Sequence, residues 1–388
     1  MEERIYKGPG LNSEHEQFME LINYVFKPNR DDDFDFLRLL PKLYKQRYSP
    51  AEKNMVVRVD GELKAAVGLF YNVFNVAGEK LLAGGVGNVA VHQGARSKGY
   101  MVDCMNLCLE DMKAKHADFS FLGGQRQRYA YFSYEPGGAV YTFRMNTKNI
   151  YHSFGKDIES PFEIRELNEN DGDLLDRVLS LCCSGDFFAE RPRDMLFDIL
   201  CSWKHIPYAI LENGKFRGYL IIDESKNNVC ELKALSPDML KDAVVAIFDF
   251  FERSDMNFAV PTFDTPAVEF FSAYAESYGI NHSECYTVLN FRRVTQAFLK
   301  LKALTKPLCD CDFSLYIHGV AGDEKIRICV SGGEASVTDT HGKCDMELNH
   351  HEAMRLLFSL SSPKRAKLSA SASANLPLEL FVYSADGV

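Results

Sequence analysis

Two short turns, far apart in the chain, set its ground plan. Met55-Val56-Val57-Arg58-Val59 runs into Asp60-Gly61, and Tyr208-Ala209-Ile210-Leu211-Glu212 runs into Asn213-Gly214. Asp-Gly and Asn-Gly supply the positive φ values that a two-residue hairpin needs, so each reads as a tight antiparallel hairpin. The return strands are Leu63 to Phe70 and Phe216 to Ile222. After the first hairpin another strand pair ends in Gly87-Asn88-Val89-Ala90-Val91. A helix follows from about Lys98 to Lys115, with its apolar stripe at Met101, Met105, Leu107, Leu109 and Met112, and then a strand, Phe119 to Leu122. After the second hairpin come a strand, Cys230 to Leu235, and a helix, Pro237 to Arg253. Hairpin, strand and helix in the same order twice indicate a duplicated unit of mixed helix and strand.

The flanking regions add further elements. Ser13 to Phe26 has apolar residues at helical spacing (Phe18, Leu21, Ile22, Val25). Asp31 to Asp33 are expected to cap a second helix carrying Phe36, Leu37, Leu40 and Leu43. Beyond Arg292-Arg293-Val294 the pattern changes to short strands, Phe313 to His318, Lys325 to Val330 and Ala335 to Thr338. Two helices are expected after them, His351 to Ser359 and about Ala366 to Ala374. This reads as a third, α+β domain. At 388 residues the chain exceeds one ordinary domain.

Composition narrows the function classes. A net charge of −10 disfavours general nucleic-acid binding, which relies on clustered Lys and Arg, and suits a cationic small partner, although it serves solubility equally well. Eleven cysteines without zinc-ribbon spacing or a disulfide framework point to a reducing compartment, and a cytoplasmic location is expected. Met1-Glu2-Glu3-Arg4 is not followed by an apolar run, so no signal peptide is expected. No stretch approaches the ~20 apolar residues of a membrane-spanning helix.

The segment richest in chemistry is Val89-Ala90-Val91-His92-Gln93-Gly94-Ala95-Arg96-Ser97-Lys98-Gly99-Tyr100-Met101. A β-branched strand gives way to a basic, Gly-containing loop that opens into a helix. Backbone N–H groups and the positive end of the helix dipole converge there, and Arg96 and Lys98 add charge, which suits a pyrophosphate. Neither the Walker spacing nor the Gly-x-Gly-x-x-Gly fingerprint is present. A surface turn with two solvated cations would explain the loop alone equally well.

Arg96-Ser97-Lys98-Gly99-Tyr100-Met101 resembles the Arg/Gln-x-x-Gly-x-Gly/Ala pyrophosphate loop of the GNAT acetyltransferase superfamily, with Met101 in place of the last small residue. Val89-Ala90-Val91 is similar to its central strand, whose backbone pairs with the pantetheine arm. Within that superfamily the chain most resembles the enhanced intracellular survival acetyltransferases. The likeness rests on the loop, on Tyr129-Ala130-Tyr131-Phe132-Ser133-Tyr134 (Ser133 standing for a Gly), on Val288-Leu289-Asn290-Phe291-Arg292-Arg293-Val294 and on the final third. It implies a catalytic GNAT domain over 1–150, a degenerate second GNAT domain over 151–294, and a sterol-carrier-like domain over 295–388. The second copy has Leu235-Ser236-Pro237-Asp238 at the loop position, without cations or Gly, and is not expected to bind the cofactor.

The implied activity is acetyl-CoA-dependent N-acetylation of a primary amine, an aminoglycoside-like polyamine or a lysine side chain, by direct attack in a ternary complex. The resemblance gives Tyr129 the role of general acid, with Tyr134 the runner-up. The carboxylate of Val388 becomes the base, and Val89, Ala90, Val91 and residues Arg96 to Met101 hold acetyl-CoA. A fixed backbone N–H near Val89 suits the oxyanion. No metal, nucleic acid or membrane is expected, and a homo-oligomer, by resemblance a hexamer, is. The rival reading is a non-catalytic acyl-CoA or lipid-binding protein. Asp31, Asp32, Asp33 and Asp35, the aromatics Phe26 and Phe36, the pair His350-His351 and the turn Gly123-Gly124-Gln125-Arg126 are weaker candidates, each with an adequate structural explanation.

Overall fold

The computed structural model describes residues 3–27 and 34–388. It is mixed α and β, built on three sheets. The first runs, from edge to edge, Ile5–Pro9, Asn54–Val59, Glu62–Val76, Glu79–Val91, Phe119–Leu122, Glu284–Val288, Glu135–Gly137. Phe187–Ala189 pairs in addition with the far end of Glu62–Val76. The second runs Ser277–Asn281, Val140–Asn146, Asp255–Pro261, Asn228–Ala234, Lys215–Ile222, Ile206–Glu212, Glu163–Glu166. Each has one parallel pair, Glu79–Val91 with Phe119–Leu122 and Asn228–Ala234 with Asp255–Pro261, matched in position within the two units.

The two sheets exchange strands. Val140–Asn146, which follows the first unit's helices, sits in the second sheet between Asp255–Pro261 and Ser277–Asn281. Glu284–Val288, at the end of the second unit, sits in the first sheet between Phe119–Leu122 and Glu135–Gly137. The exchange crosses the boundaries expected at 150 and 294. Neither sheet is complete without the other unit's strand, so each unit's backbone hydrogen bonding depends on both.

Both expected hairpins form. Asp60 has φ +51° beside Gly61 at +88°, and Asn213 has +49° beside Gly214 at +74°. Three expectations need correction. The return strand extends from Glu62 to Val76 rather than stopping at Phe70, and turns at Ala77-Gly78 into one long strand, Glu79–Val91. The region after Phe34 is two short helices, Phe36–Leu39 and Pro41–Tyr44, broken where Pro41 lacks an N–H. Asp35 caps the first of them by accepting from the Leu37 N–H; the expected caps Asp31 to Asp33 lie outside the described residues.

The third sheet, Glu334–Asp339, Gly322–Ser331, Cys311–Gly319 and Met346–Asn349, packs with the helices Phe291–Thr305 and His350–Phe358. Its core is continuous with the first sheet's. Phe119, Phe121 and Tyr286 share one buried cluster with Leu315, Ile317 and Phe358 and with the tail residues Leu378, Leu380 and Phe381. Arg293 secures the junction, its guanidinium donating to both oxygens of buried Asp118 at 2.8 and 3.0 Å, just before Phe119–Leu122. Among the described residues no helix is long and apolar enough to cross a membrane.

Candidate active site

The site grows from the parallel strand pair of the first sheet. Glu79–Val91 and Phe119–Leu122 pair only from Ala83/Phe119 to Gly85/Phe121. Beyond Gly85 the long strand runs on through Val91 without a partner on that side among the described residues, so the two strands open into a gap. The same stretch is irregular on its other edge. Ala66 faces Ala90 and Gly68 faces Gly87, which leaves Asn88 and Val89 in a bulge. Asn88 adopts φ +37°, a conformation that Asn accepts more readily than most residues. Its buried amide is held on both sides: the Tyr44 hydroxyl donates to Oδ1 at 2.8 Å, and Nδ2 donates to Asn54 Oδ1 at 2.7 Å. Gly68 makes room, since a Cβ there would lie 2.4 Å from Asn88 Oδ1. Sequence reasoning missed Asn88, Asn54 and Tyr44. An Asn flanked by glycine and β-branched residues was the available signal.

Past the bulge, His92 begins the loop by accepting from the Gly94 N–H. Ser97 and Gly99 both have left-handed φ, +65° and +82°, and the helix starts at Tyr100 as Tyr100–Ala114. Among the described residues no side chain caps it, so its first N–H groups lack an intrahelical or capping partner. Arg96, Ser97, Lys98 and Gly99 are exposed, while Tyr100 is buried. Lys98 lies 3.6 Å from Glu3, a surface contact of little energetic weight; Arg96 makes no ion pair among the described residues. The Met101 side chain packs against the core of the first unit. Residues and geometry fit an anionic group at this turn.

The aromatic segment lies across the gap. Gln125 leads into a short helix, Arg126–Ala130, which places Tyr129 against Gly124; a Cβ at Gly124 would lie 2.4 Å from the ring. Tyr129 is buried, and burial raises its phenol above the usual value while neighbouring Arg128 pulls it back. Tyr134 is more deeply buried and already engaged: its hydroxyl sits 2.6 Å from Ser120 Oγ, which itself donates to the Gly84 carbonyl. Burial raises its phenol too. A cavity of about 260 Å³ lies between this segment and the helix, lined by Val86, Met105, Cys108, Tyr131, Tyr134 and Thr287.

The end of the chain reaches the same place. Leu378, Leu380 to Tyr383 and Ala385 are buried, and the tail ends in a single turn, Ser384–Asp386. Val388 packs where the strands part. A Cβ on Gly85 would lie 2.8 Å from Val388 Cγ1, and one on Gly87 would lie 3.5 Å from the Val388 carboxyl carbon. Phe36, Tyr44, Phe70 and Trp203 belong to the apolar cluster that Val388 joins. Phe26 and Phe36 pack edge to face at 5.0 Å within it. Buried Lys42 donates to the Ala385 carbonyl. Burial lowers its ammonium to about 7, Asp386 opposing that shift and Arg191 adding to it.

The remaining candidates have structural roles or lie apart. Asp35 is a helix cap that also accepts from Asn23. His350 is buried, paired through Nε2 with Thr287 Oγ1 at 2.9 Å and through Nδ1 with the Val320 N–H at 3.2 Å. Gly123 and Gly124 form the exposed turn before Tyr129.

The split parallel pair, the bulge and the basic turn before the next helix all lie within the first unit. Residues 10–137 match the sequence model of the acetyltransferase (GNAT) domain, so the chain carries an acetyltransferase domain and is an acetyltransferase enzyme. No curated protein matches the chain. Solved structures of similar fold span its whole length. Eis1 from Mycobacterium abscessus is 14% identical, covers 100% of each chain and has a TM-score of 0.63. A GCN5-related N-acetyltransferase from Anabaena variabilis is 14% identical over 99% of each chain, TM-score 0.64. A probable N-acyltransferase from Enterococcus faecalis is 17% identical over 90% of this chain and 88% of its own, TM-score 0.62.

Proposed function

We propose that the protein transfers an acetyl group from acetyl-CoA to a primary amine, both substrates being bound together. The observation that carries this reading is the carboxyl carbon of Val388 beside Gly87, at the opening of the split strands. In this reading Val89, Ala90 and Val91 hold the pantetheine arm along the unpaired strand edge, and Arg96 to Met101 hold the pyrophosphate. Acetyl-CoA supplies an activated carbonyl and a thiolate leaving group.

The chain's own groups handle the protons and the charge. An amine is mostly an ammonium at neutral pH. The Val388 carboxylate takes one proton from it, leaving a lone pair to attack the carbonyl carbon. A free terminal carboxyl, of pKa about 3.5, is a weak base in water, and apolar surroundings of the kind that Trp203 and Phe70 provide strengthen it. The carbonyl oxygen gathers negative charge as the C–N bond forms, and the Val89 N–H, in the bulge, serves as its donor. When the C–S bond breaks, Tyr129 gives its proton to sulfur and is restored by the second proton lost from nitrogen. Tyr134 is the weaker candidate because Ser120 already engages its hydroxyl.

The acceptor class is a cationic amine, a polyamine of the aminoglycoside kind or a lysine side chain, in keeping with the net charge of −10. The third domain, sterol-carrier-like by resemblance, contributes the tail. The test compares the intact chain with one lacking Val388, by calorimetric titration with acetyl-CoA and by turnover over a panel of primary amines. The expected result is unchanged acetyl-CoA affinity and turnover reduced at least 100-fold, within the range for loss of a general base. Full turnover without Val388 would remove the base from this scheme. Acetyl-CoA binding by the intact chain without turnover of any amine would favour a carrier instead.

A further inference from the structure

Resting on the reading above, we infer that the second unit, which lacks the anion-binding loop, acts as the socket that holds the C-terminal carboxylate at the first unit's gap. Three observations converge on this. The second sheet contains the same opening as the first. Asn228–Ala234 and Asp255–Pro261 pair only at Asn228/Asn257 and Val229/Phe258 and then part. The tail reaches both openings, with Val388 at the first and Tyr383 at the second. Tyr383 of the tail lines two spaces there, one of about 10 Å³ with Glu231, Leu232, Val260 and Phe271 and one of about 370 Å³ with Leu232, Ala234, Ser236 and Asp264. The Tyr383 ring is buried, packed edge to face on Phe381 at 4.8 Å, with the Lys233 ammonium 5.3 Å from its centre.

The second observation is a buried chain of charges. Arg191 is 6% exposed and donates to both oxygens of Asp386, at 2.8 and 2.9 Å. Its other face donates to both oxygens of Glu231, at 2.9 and 3.3 Å, and Glu231 also accepts from Tyr219. Glu231 lies on the strand that edges the second opening, and Asp386 lies two residues before the terminus. A planar guanidinium gripping two carboxylates fixes direction as well as distance, which Lys cannot reproduce.

Third, the last turn is held from the first unit as well. Lys42 donates to the Ala385 carbonyl, and Asn72 donates to the Asp386 carbonyl at 3.5 Å. Tail residues 383–386 are therefore fixed between the two units, and only Gly387 and Val388 project beyond the clamp. A chain end is ordinarily frayed, and a base on it needs such a clamp to stay within reach of a proton. Arg191, Glu231 and Asp386 are positioning residues in this scheme, since none reaches the reacting atoms.

The experiment measures kcat, KM for the amine and acetyl-CoA affinity for Asp386→Asn, Tyr383→Phe and Tyr383→Ala beside the Val388 deletion, from pH 7 to 10. Asp386→Asn is expected to lower kcat about 30-fold at pH 7 with acetyl-CoA affinity unchanged, and Tyr383→Ala about 10-fold. Tyr383→Phe, which keeps the ring, should match the intact chain. The deficits should shrink several-fold toward pH 10, where the free amine no longer needs a base; a general loosening of the fold would leave them constant. If Asp386→Asn does not fold, Arg191→Lys takes its place with the same expected profile. Intact kcat in Asp386→Asn and Tyr383→Ala, or a deficit that is the same at every pH, overturns the socket while leaving the base in place. Intact turnover after deletion of Val388 overturns the base itself.

Discussion

The two openings in the protein begin from the same backbone device and are lined by different side chains. In the first sheet the parallel strands part after Gly85 and Phe121, and in the second after Val229 and Phe258. Gly84, Gly85 and Gly87 line the first strand and let neighbours approach it closely; a Cβ on Gly85 would collide with Val388 and Phe121, and one on Gly84 with Met112. The second strand carries Glu231, Leu232 and Lys233, and the tail's Tyr383 lines the opening between it and its neighbour, where about 370 Å³ remains. The first opening leads to a turn with Arg96, Lys98 and Gly99. The second leads to Leu235-Ser236-Pro237-Asp238, where Asp238 brings negative charge to a helix start. The backbone course is shared, and the two openings differ in the side chains that line them.

The strongest way to break this contrast is at the acid. Tyr129 sits after the first opening, and the helix Thr265–Tyr274 occupies the matching place after the second. Tyr129→Phe is expected to lower kcat about 100-fold, within the range for loss of general acid catalysis, with little change in amine KM. Tyr274→Phe should leave the rate alone. Steady-state kinetics on the two variants decide it, and equal rates for Tyr129→Phe and the intact chain would exclude Tyr129.

A smaller effect sharpens the contrast at the phosphate turns. Arg96→Ala with Lys98→Ala is expected to weaken acetyl-CoA binding about 10-fold, because two exposed charge-assisted contacts are each worth about 0.7 kcal/mol. Ser236→Ala with Asp238→Ala should leave the affinity unchanged. Calorimetric titration reads both; weakening by the second pair would mean that the second opening binds the ligand after all.

The smallest effect concerns stability in acid. Burial lowers His205, beside the socket, to about 4, with the Lys42 charge adding to it, and lowers His350, at the third sheet, to about 4, with His351 adding to it. Each binds a proton more readily unfolded than folded. Their stability contribution is therefore complete above about pH 6.5 and is lost as pH falls toward 4, by up to about 3 kcal/mol each. Chemical denaturation between pH 7 and 4 should show a shallower decline in His205→Gln than in the intact chain.

Some of this was legible in the residues. Asp60-Gly61 and Asn213-Gly214 announced their hairpins because positive φ is a local property. The strand Phe119–Leu122 and the helix Tyr100–Ala114, expected from about Lys98, were also legible, from an apolar run and from a periodic stripe. Elements whose limits depend on distant partners were misjudged. The strand Glu62–Val76 continues past Phe70 because its far end is covered on one side by Glu79–Val91 and on the other by Phe187–Ala189, a contact invisible in a local window. The exchanged strands were invisible for the same reason, since hydropathy says that a strand will be buried and not in which sheet.

The sequence by itself determined the duplicated unit, the basic turn at Arg96 to Gly99 and the absence of such a turn in the second copy, because these follow from local backbone preference and from which charges are present. Only the tertiary structure decided that Val388 ends beside Gly87, that Asn88 is held in its bulge by Tyr44 and Asn54, and that Arg191 joins Glu231 to Asp386. Those pairings link residues up to hundreds of positions apart. They form because buried charges and amides must find partners once the apolar surfaces around them have closed, and chain spacing carries no record of which partner that will be.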